Sequence, residues 1–340
     1  MTAGQDATIS NIQKRLDAGK PIRVLSIDGG GMRGVVPATF LDAMETLSGL
    51  GIAELFDVVT GTSTGAILTV GLTVAGENNK PKYKSTDFIK LYQDMGGVIF
   101  HKDRSMLEVL DGITRPSYDP VGYENLLKEY FADAKLSDAV TELAVPSIEL
   151  EDMNMHIFTR ANARKSSSHD VEVRELIRAA TAAPTYFPAA NVNNADGKTM
   201  GTFVDAGLST NNPAIIALAE AKALVAGQAA DYLIVSLGTG AITKPIDAMK
   251  AKNWGEVEWI TSIFDLQGDA QSSYTETAVS TFLEDNDNSA YHRFQVDLHK
   301  LPFQLDDTKP EHIEELREAA VKSVNDQLDI IKQLTQNLME

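Results

Sequence analysis

Two short stretches of this sequence hold residue types that can do chemistry together. Gly61-Thr62-Ser63-Thr64-Gly65 fits G-x-S-x-G, the pattern of a serine nucleophile raised on a sharp turn between a strand and a helix. Small neighbours at Gly61 and Gly65 permit a strained backbone and let a substrate come close. A serine there also starts a helix, where the dipole favours developing negative charge. A plainer reading of the same residues is a tight turn whose hydroxyl caps the helix. On the five residues alone the two readings are about even. The second stretch is Asp28-Gly29-Gly30-Gly31-Met32-Arg33-Gly34. Its successive glycines free backbone N–H groups to point at one spot, as an oxyanion hole or a phosphate cradle requires. Arg33 suits either support of that loop or contact with an anionic headgroup. A nucleotide loop fits less well, because no Gly-Lys-Ser/Thr follows and the spacing is not G-x-G-x-x-G.

A serine nucleophile needs a base, usually histidine. The six histidines are His101, His156, His169, His292, His299 and His312, and none stands in a glycine-rich or otherwise site-like motif. Asp205 differs. It ends a strand-like run and is followed by Ala206-Gly207, which leaves room beside it. On spacing alone it reads as an Asx turn.

These residues need elements to place them. Ile22 to Ile27 is a short apolar run of strand type, broken by the first glycine loop. Val35 to Leu47 has helical spacing, with Phe40, Met44 and Leu47 on one face. Phe56 to Thr60 reads as a buried strand, and Ala66 to Val74 as a buried helix. Strands alternating with helices predict an α/β fold with a parallel sheet covered on both faces. Further strands are expected at Val145 to Glu149, His156 to Thr159 and Leu233 to Leu237. Further helices are expected at Val121 to Phe131, Val173 to Ala180, Pro213 to Ala226 and, as one long element, Glu311 to Leu338. Asn191 to Gly201 reads as a polar turn, and Gly96 to Asp119 as irregular chain.

The composition narrows the partners. With 340 residues and 43% hydrophobic content the chain can bury a sizeable core. A net charge of -18 disfavours nucleic acid and simple electrostatic docking on anionic membranes. The absence of cysteine removes disulfides, thiolate metal sites and cysteine nucleophiles. Residues 1–20 are polar, without the apolar core of a signal peptide, so a cytoplasmic location is the default expectation, with export lacking such a signal left open. No apolar run is long enough to span a bilayer.

Taken together, the motifs resemble the patatin-like phospholipases. Ser26 to Gly34 is similar to that family's oxyanion loop, and Phe56-Asp57 with Gly61 to Gly65 to its strand and serine elbow. Asp205-Ala206-Gly207 is similar to its Asp-Gly-Gly/Ala motif. Thr181 to Pro188 and Ser236 to Gly240 match as well, so the resemblance runs from about Arg23 to about Leu298. It implies a three-layer sandwich with a mostly parallel central sheet flanked by helices. Residues 1–20 would form an N-terminal extension, and 21–340 a single catalytic domain with a C-terminal helix from about 311. It implies a Ser-Asp dyad: Ser63 attacks an acyl ester, Asp205 accepts its proton, and the Gly29, Gly30 and Gly31 amides, with Arg33 supporting the loop, hold the oxyanion. The expected substrate is a phospholipid or other acyl lipid, met through peripheral membrane contact, with no metal and no cofactor. The apolar residues Val98, Ile99, Phe100, Met106, Leu107, Val109 and Leu110 are either an interfacial patch or core. Since a free aspartate titrates near 3.9, Asp205 needs partial desolvation to serve as a base.

Two other readings stay open. One is an α/β-hydrolase with a Ser-His-Asp triad, whose usual order leaves His292, His299 or His312 as the last member. Its oxyanion loop, however, follows an earlier strand than the one adjoining this elbow. The other is a lipid-binding relative without turnover, which a broken serine, glycine loop or aspartate would mark. All three are intact.

Overall fold

The computed structural model describes residues 3–101, 116–241, 246–284, 288–298 and 304–340. At its centre is one eight-stranded sheet. The strands are β1 (Ile22–Ile27), β2 (Val58–Gly61), β3 (Glu142–Glu149), β4 (Asn154–Thr159), β5 (Ala190–Asn193), β6 (Thr199–Asp205), β7 (Tyr232–Leu237) and β8 (Ala290–Phe294). Their order is β5-β6-β3-β2-β1-β7-β8, with β4 also paired to β3. Strands β3, β2, β1, β7 and β8 run parallel, while β4 and β6 pair antiparallel with β3, and β5 with β6.

Both faces of the parallel part are covered, as its largely apolar central strands require. Leu25, Ile27, Val59, Leu233, Val235 and Leu237 face a large core shared with the helices Val35–Ser48, Ser85–Ile99, Pro310–Asp326 and Leu328–Met339. The alternate residues Ile22, Val24, Val58, Tyr232 and Ile234 face a smaller core, closed by Ile12, Ala217, Leu218, Val279 and Leu283. The period of two along each strand thus sorts side chains into the two outer layers of a sandwich.

The register of β3 brings two distant stretches of the chain together. Ala144 pairs with Thr60 of β2 and with Thr159 of β4. Ser147 pairs with His156 of β4 and with Asp205 of β6. Since β4 occupies one edge of β3 throughout, β2 and β6 share the other edge end to end. β6 runs opposite to β2, so its last residue, Asp205, approaches the point where β2 gives way to the serine turn. The gap along β3 is three residues, or roughly 10 Å.

Several elements differ from expectation. Residues 3–17 of the expected extension form a helix, and its Ile12 is buried. The C-terminal helix is two helices parted at Gln327, which leaves helical geometry at φ -113, ψ 16 while its side chain binds Ser323. The Asn191 to Gly201 stretch is a hairpin, with β5 and β6 on either side of Asn194–Lys198. Gly96 to Ile99 completes the helix Ser85–Ile99. Ile99 is core and Phe100 packs on Tyr118 and Phe187, whereas Val98 is exposed. Met106, Leu107, Val109 and Leu110 lie outside the described residues.

Candidate active site

Parallel strands β7, β1 and β2 each end in a glycine-bearing turn, and these turns meet at one edge of the sheet. The serine turn is the tightest. Ser63 has φ 54 and ψ -121, a conformation that costs a non-glycine residue of order 1–3 kcal/mol and persists only where its surroundings enforce it. They do so here. The Thr62 N–H donates to Ile27 O at 3.1 Å, the Gly65 N–H to Thr62 O at 2.7 Å, and the Ala66 N–H to Ser63 O at 2.8 Å. A Cβ on Gly61 would collide with the Gly65 carbonyl, and one on Gly65 with the Ile27 carbonyl. Both are backbone atoms and cannot swing aside. Ser63 occupies the N-cap position of the helix Thr64–Gly71, yet its hydroxyl makes no cap hydrogen bond. The plainer, helix-capping role is therefore not what this hydroxyl does.

Asp205 is the group it meets. Its carboxyl is 4% exposed, and burial pushes its pKa up to about 6, against the opposing pull of a hydrogen bond with the Ser63 hydroxyl and one from the Gly207 amide. The Gly207 N–H donates to Asp205 Oδ1 at 2.8 Å. Asp205 thus does form the Asx turn that its spacing suggested, and that turn fixes one carboxylate oxygen while the group faces Ser63. Its own N–H donates to Ala182 O at 3.1 Å, so the Thr181 to Pro188 segment holds Asp205 from behind.

The first glycine loop is held by its carbonyls. Thr239 Oγ1 donates to Gly29 O at 2.7 Å, and the Arg33 N–H donates to Gly30 O at 3.1 Å. In a trans peptide the N–H of the next residue points opposite to the carbonyl. Fixing these two oxygens therefore turns the Gly30 and Gly31 N–H groups the other way, where they make no backbone hydrogen bond among the described residues. The Gly29 N–H, also expected as an oxyanion donor, is already spent on Asn211 O at 3.0 Å. Gly31 combines a left-handed φ of 56 with no room for a Cβ, since Leu305 packs directly against it, and the Met32 N–H donates to Leu305 O at 2.8 Å. The Arg33 guanidinium spans from Gly30 O to Gly240 O, 3.4 Å from each, which is the loop-supporting role.

Three further residues have no sequence signature. Arg293 on β8 forms a bidentate pair with Asp28, at 2.9 and 2.5 Å, and also donates to Ser236 and Ser272. Burial pushes the Asp28 carboxyl up, and Arg293 opposes that. Tyr92, fully enclosed, shares a 2.5 Å hydroxyl contact with Thr64, with Gly34 packed against both. Asn211 adjoins Gly29 and Gly207. Of the described histidines, His156 lies 4.3 Å from Phe158 with the rings tilted, His169 meets Ser168, His312 meets Asp307, and His101 is exposed. His292 sits on β8, and His299 lies outside the described residues. Among the described residues no cluster of metal-ligating side chains occurs, and no helix is long and apolar enough to cross a membrane.

The chain is similar to known proteins of one family. The family model for patatin-like phospholipases matches residues 25–218. Patatin-2-Kuras 3 of Solanum tuberosum is 32% identical over 291 residues, covering 78% of this chain and 73% of the relative. Patatin-04/09 of the same plant is 31% identical over 334 residues, covering 91% and 84%. A protein named probable inactive patatin-3-Kuras 1, also from Solanum tuberosum, is 30% identical over 290 residues, covering 78% and 76%. Among solved structures, VipD from Legionella pneumophila aligns over 93% of this chain and 67% of its own, with 12% identity and a TM-score of 0.41.

Proposed function

This chain belongs to the patatin-like phospholipase family, and from that premise we propose that it cleaves fatty acyl esters of phospholipids through a Ser63-Asp205 dyad. Membership gives lipid acyl hydrolysis in coarse terms. One relative of similar identity carries "probable inactive" in its name, so turnover has to be argued from this chain's own site. The observation that carries it is the state of Ser63: a strained residue at a helix N-terminus whose hydroxyl leaves the helix uncapped and faces a buried carboxylate.

The chemistry follows from that placement. Ser63 Oγ attacks the ester carbonyl while Asp205 takes its proton. A carboxyl with a pKa of about 6 is a far better base at neutral pH than an exposed one, yet remains ionised there. The Gly30 and Gly31 amides donate to the oxyanion, helped by the dipole of the helix Thr64–Gly71. The proton on Asp205 then passes to the departing alcohol. Water attacks the acyl-enzyme, gives a proton to Asp205, and Ser63 recovers one as the fatty acid leaves. We read residues 21–340 as one catalytic unit, with the helix Ala3–Asp17 packed beneath the sheet.

The test is fatty acid release from phosphatidylcholine vesicles in the presence of EDTA, wild type beside Ser63→Ala. Release by wild type alone supports a metal-independent serine acyl hydrolase. Equal release by both would remove Ser63 from the mechanism.

A further inference from the structure

Asn211 divides its work between backbone and side chain. Its carbonyl accepts the Gly29 N–H at 3.0 Å, and the neighbouring Thr210 carbonyl accepts Thr62 Oγ1 at 2.8 Å. The main chain thus already does the structural work of joining this segment to the glycine loop and the serine turn. The Asn211 carboxamide makes no hydrogen bond among the described residues. Its neighbour Asn212 is the opposite case: fully buried, it spends its side chain on the Ala214 N–H at 3.0 Å and on Ser272.

Glycines locate that carboxamide. A Cβ on Gly29 would lie 2.6 Å from Asn211 Oδ1 and 3.2 Å from Ser63 Cβ. A Cβ on Gly207 would lie 3.1 Å from Asp205 Oδ1 and 3.9 Å from Asn211 Oδ1. On a third side, a Cβ on Gly268 of the helix Glu256–Leu283 would lie 3.9 Å from Asn211 Cβ, Cγ and Nδ2. One uncommitted amide therefore stands beside both the nucleophile and the base, in space that Gly29 keeps open.

We propose that the Asn211 carboxamide is the hydrogen-bonding subsite for the oxygen that leaves or attacks the ester carbon. The inference rests on the Ser63-Asp205 reading. In acylation the carbon–oxygen bond to the lipid alcohol breaks, and that oxygen takes the proton from Asp205. In deacylation a water oxygen bonds to the same carbon and gives a proton to Asp205. Both oxygens exchange a proton with the same carboxyl, so both pass through the same place. Asp205 handles one proton at a time, and water brings two. A carboxamide offers two N–H donors to an oxygen gaining charge and a carbonyl to the second water hydrogen.

Burst kinetics with p-nitrophenyl butyrate test this. The p-nitrophenolate spreads its charge over the ring and leaves without help from a proton or hydrogen bond, so acylation depends little on Asn211 while deacylation by water depends on it. Asn211→Ala is expected to show a full burst of about one equivalent of product, then steady turnover about tenfold below wild type, the equivalent of one hydrogen bond. The isosteric Asn211→Asp, which puts a second carboxylate beside Asp205, is expected to move the acid limb of steady turnover to higher pH. Wild-type turnover in Asn211→Ala with an unmoved acid limb in Asn211→Asp would overturn the subsite. So would a fall of burst and turnover in equal proportion in both variants. Ser63→Ala, run alongside, must show no burst; turnover by that variant would instead overturn the dyad on which the subsite depends.

Discussion

Arg293 grips Asp28 from two strands away, its guanidinium reaching across β7 to the end of β1 and binding both carboxylate oxygens. Asp28 is the residue before the glycine loop. Its N–H is tied to Leu237 O at 2.9 Å and its side chain to Arg293, so the loop leaves the sheet at a fixed point and angle. The pair is almost wholly enclosed, Asp28 at 2% and Arg293 at 8% exposure.

Breaking that pair leaves a buried carboxylate without its counterion, at a cost of about 3–5 kcal/mol. Arg293→Met should lose about that much stability in urea unfolding. Asp28→Asn with Arg293→Met should recover a large part of it, because no charge then remains. In Arg293→Met the loss should shrink as pH falls, since a protonated Asp28 no longer needs a partner.

Asp205 sets the pH dependence. With a pKa of about 6, kcat/KM should rise through pH 6 and level off above it, as a general base requires. Stability should move the other way. Between about pH 4 and 6 the folded state holds a proton that the unfolded state has lost, so stability falls as pH rises. The rise from 3.8 to about 6 corresponds to about 3 kcal/mol. Asp205→Asn should therefore be inactive yet melt higher than wild type at pH 7.5, with the difference closing near pH 4. A variant that melts lower at pH 7.5 would contradict the desolvation account.

Tyr92 joins the helix Ser85–Ile99 to Thr64, the residue after Ser63. Tyr92→Phe leaves the buried Thr64 hydroxyl unmatched, and the expected loss is about 1–3 kcal/mol. Adding Thr64→Val, which removes the orphaned partner, should restore part of it. Denaturation of the two single variants and the double variant gives the coupling directly.

Thr239 orients the Gly29–Gly30 peptide through one hydroxyl. Thr239→Val keeps the shape and removes the donor, freeing the peptide to tilt. The expected result is a fall in kcat of about tenfold, below the roughly 10²–10³-fold loss of an oxyanion donor itself, with KM little changed. A rise in KM with kcat intact would assign Thr239 to lipid binding instead.

The sequence made the local parts of this molecule readable. β1, β2 and β7 show as short, largely apolar runs leading into glycine turns, and Ser63 falls between a strand and a helix as its motif requires. Asp205 could be placed only through a family resemblance, because two residues 142 positions apart leave no joint mark in the sequence. What unites them is the end-to-end sharing of one edge of β3, which the strand-like run into Asp205 does not announce, and β5 with the start of β6 lay in a stretch that read as a polar turn. Arg293, Tyr92 and Asn211 escaped for the same reason, since each acts on a partner distant in sequence. The helix Glu256–Leu283 escaped for another: its Thr, Ser, Gln and Gly residues blur the apolar period that marks a helix packed on one face.

Covalent capture is the sharpest test of Ser63 as the proposed nucleophile. A long-chain alkyl fluorophosphonate, incubated with wild type and followed by peptide mass spectrometry, should leave one adduct on the peptide containing Ser63. Asp205→Asn should label far more slowly, and Ser63→Ala should not label at all. Stoichiometric labelling of Ser63→Ala, or an adduct on any other residue in wild type, would contradict the account.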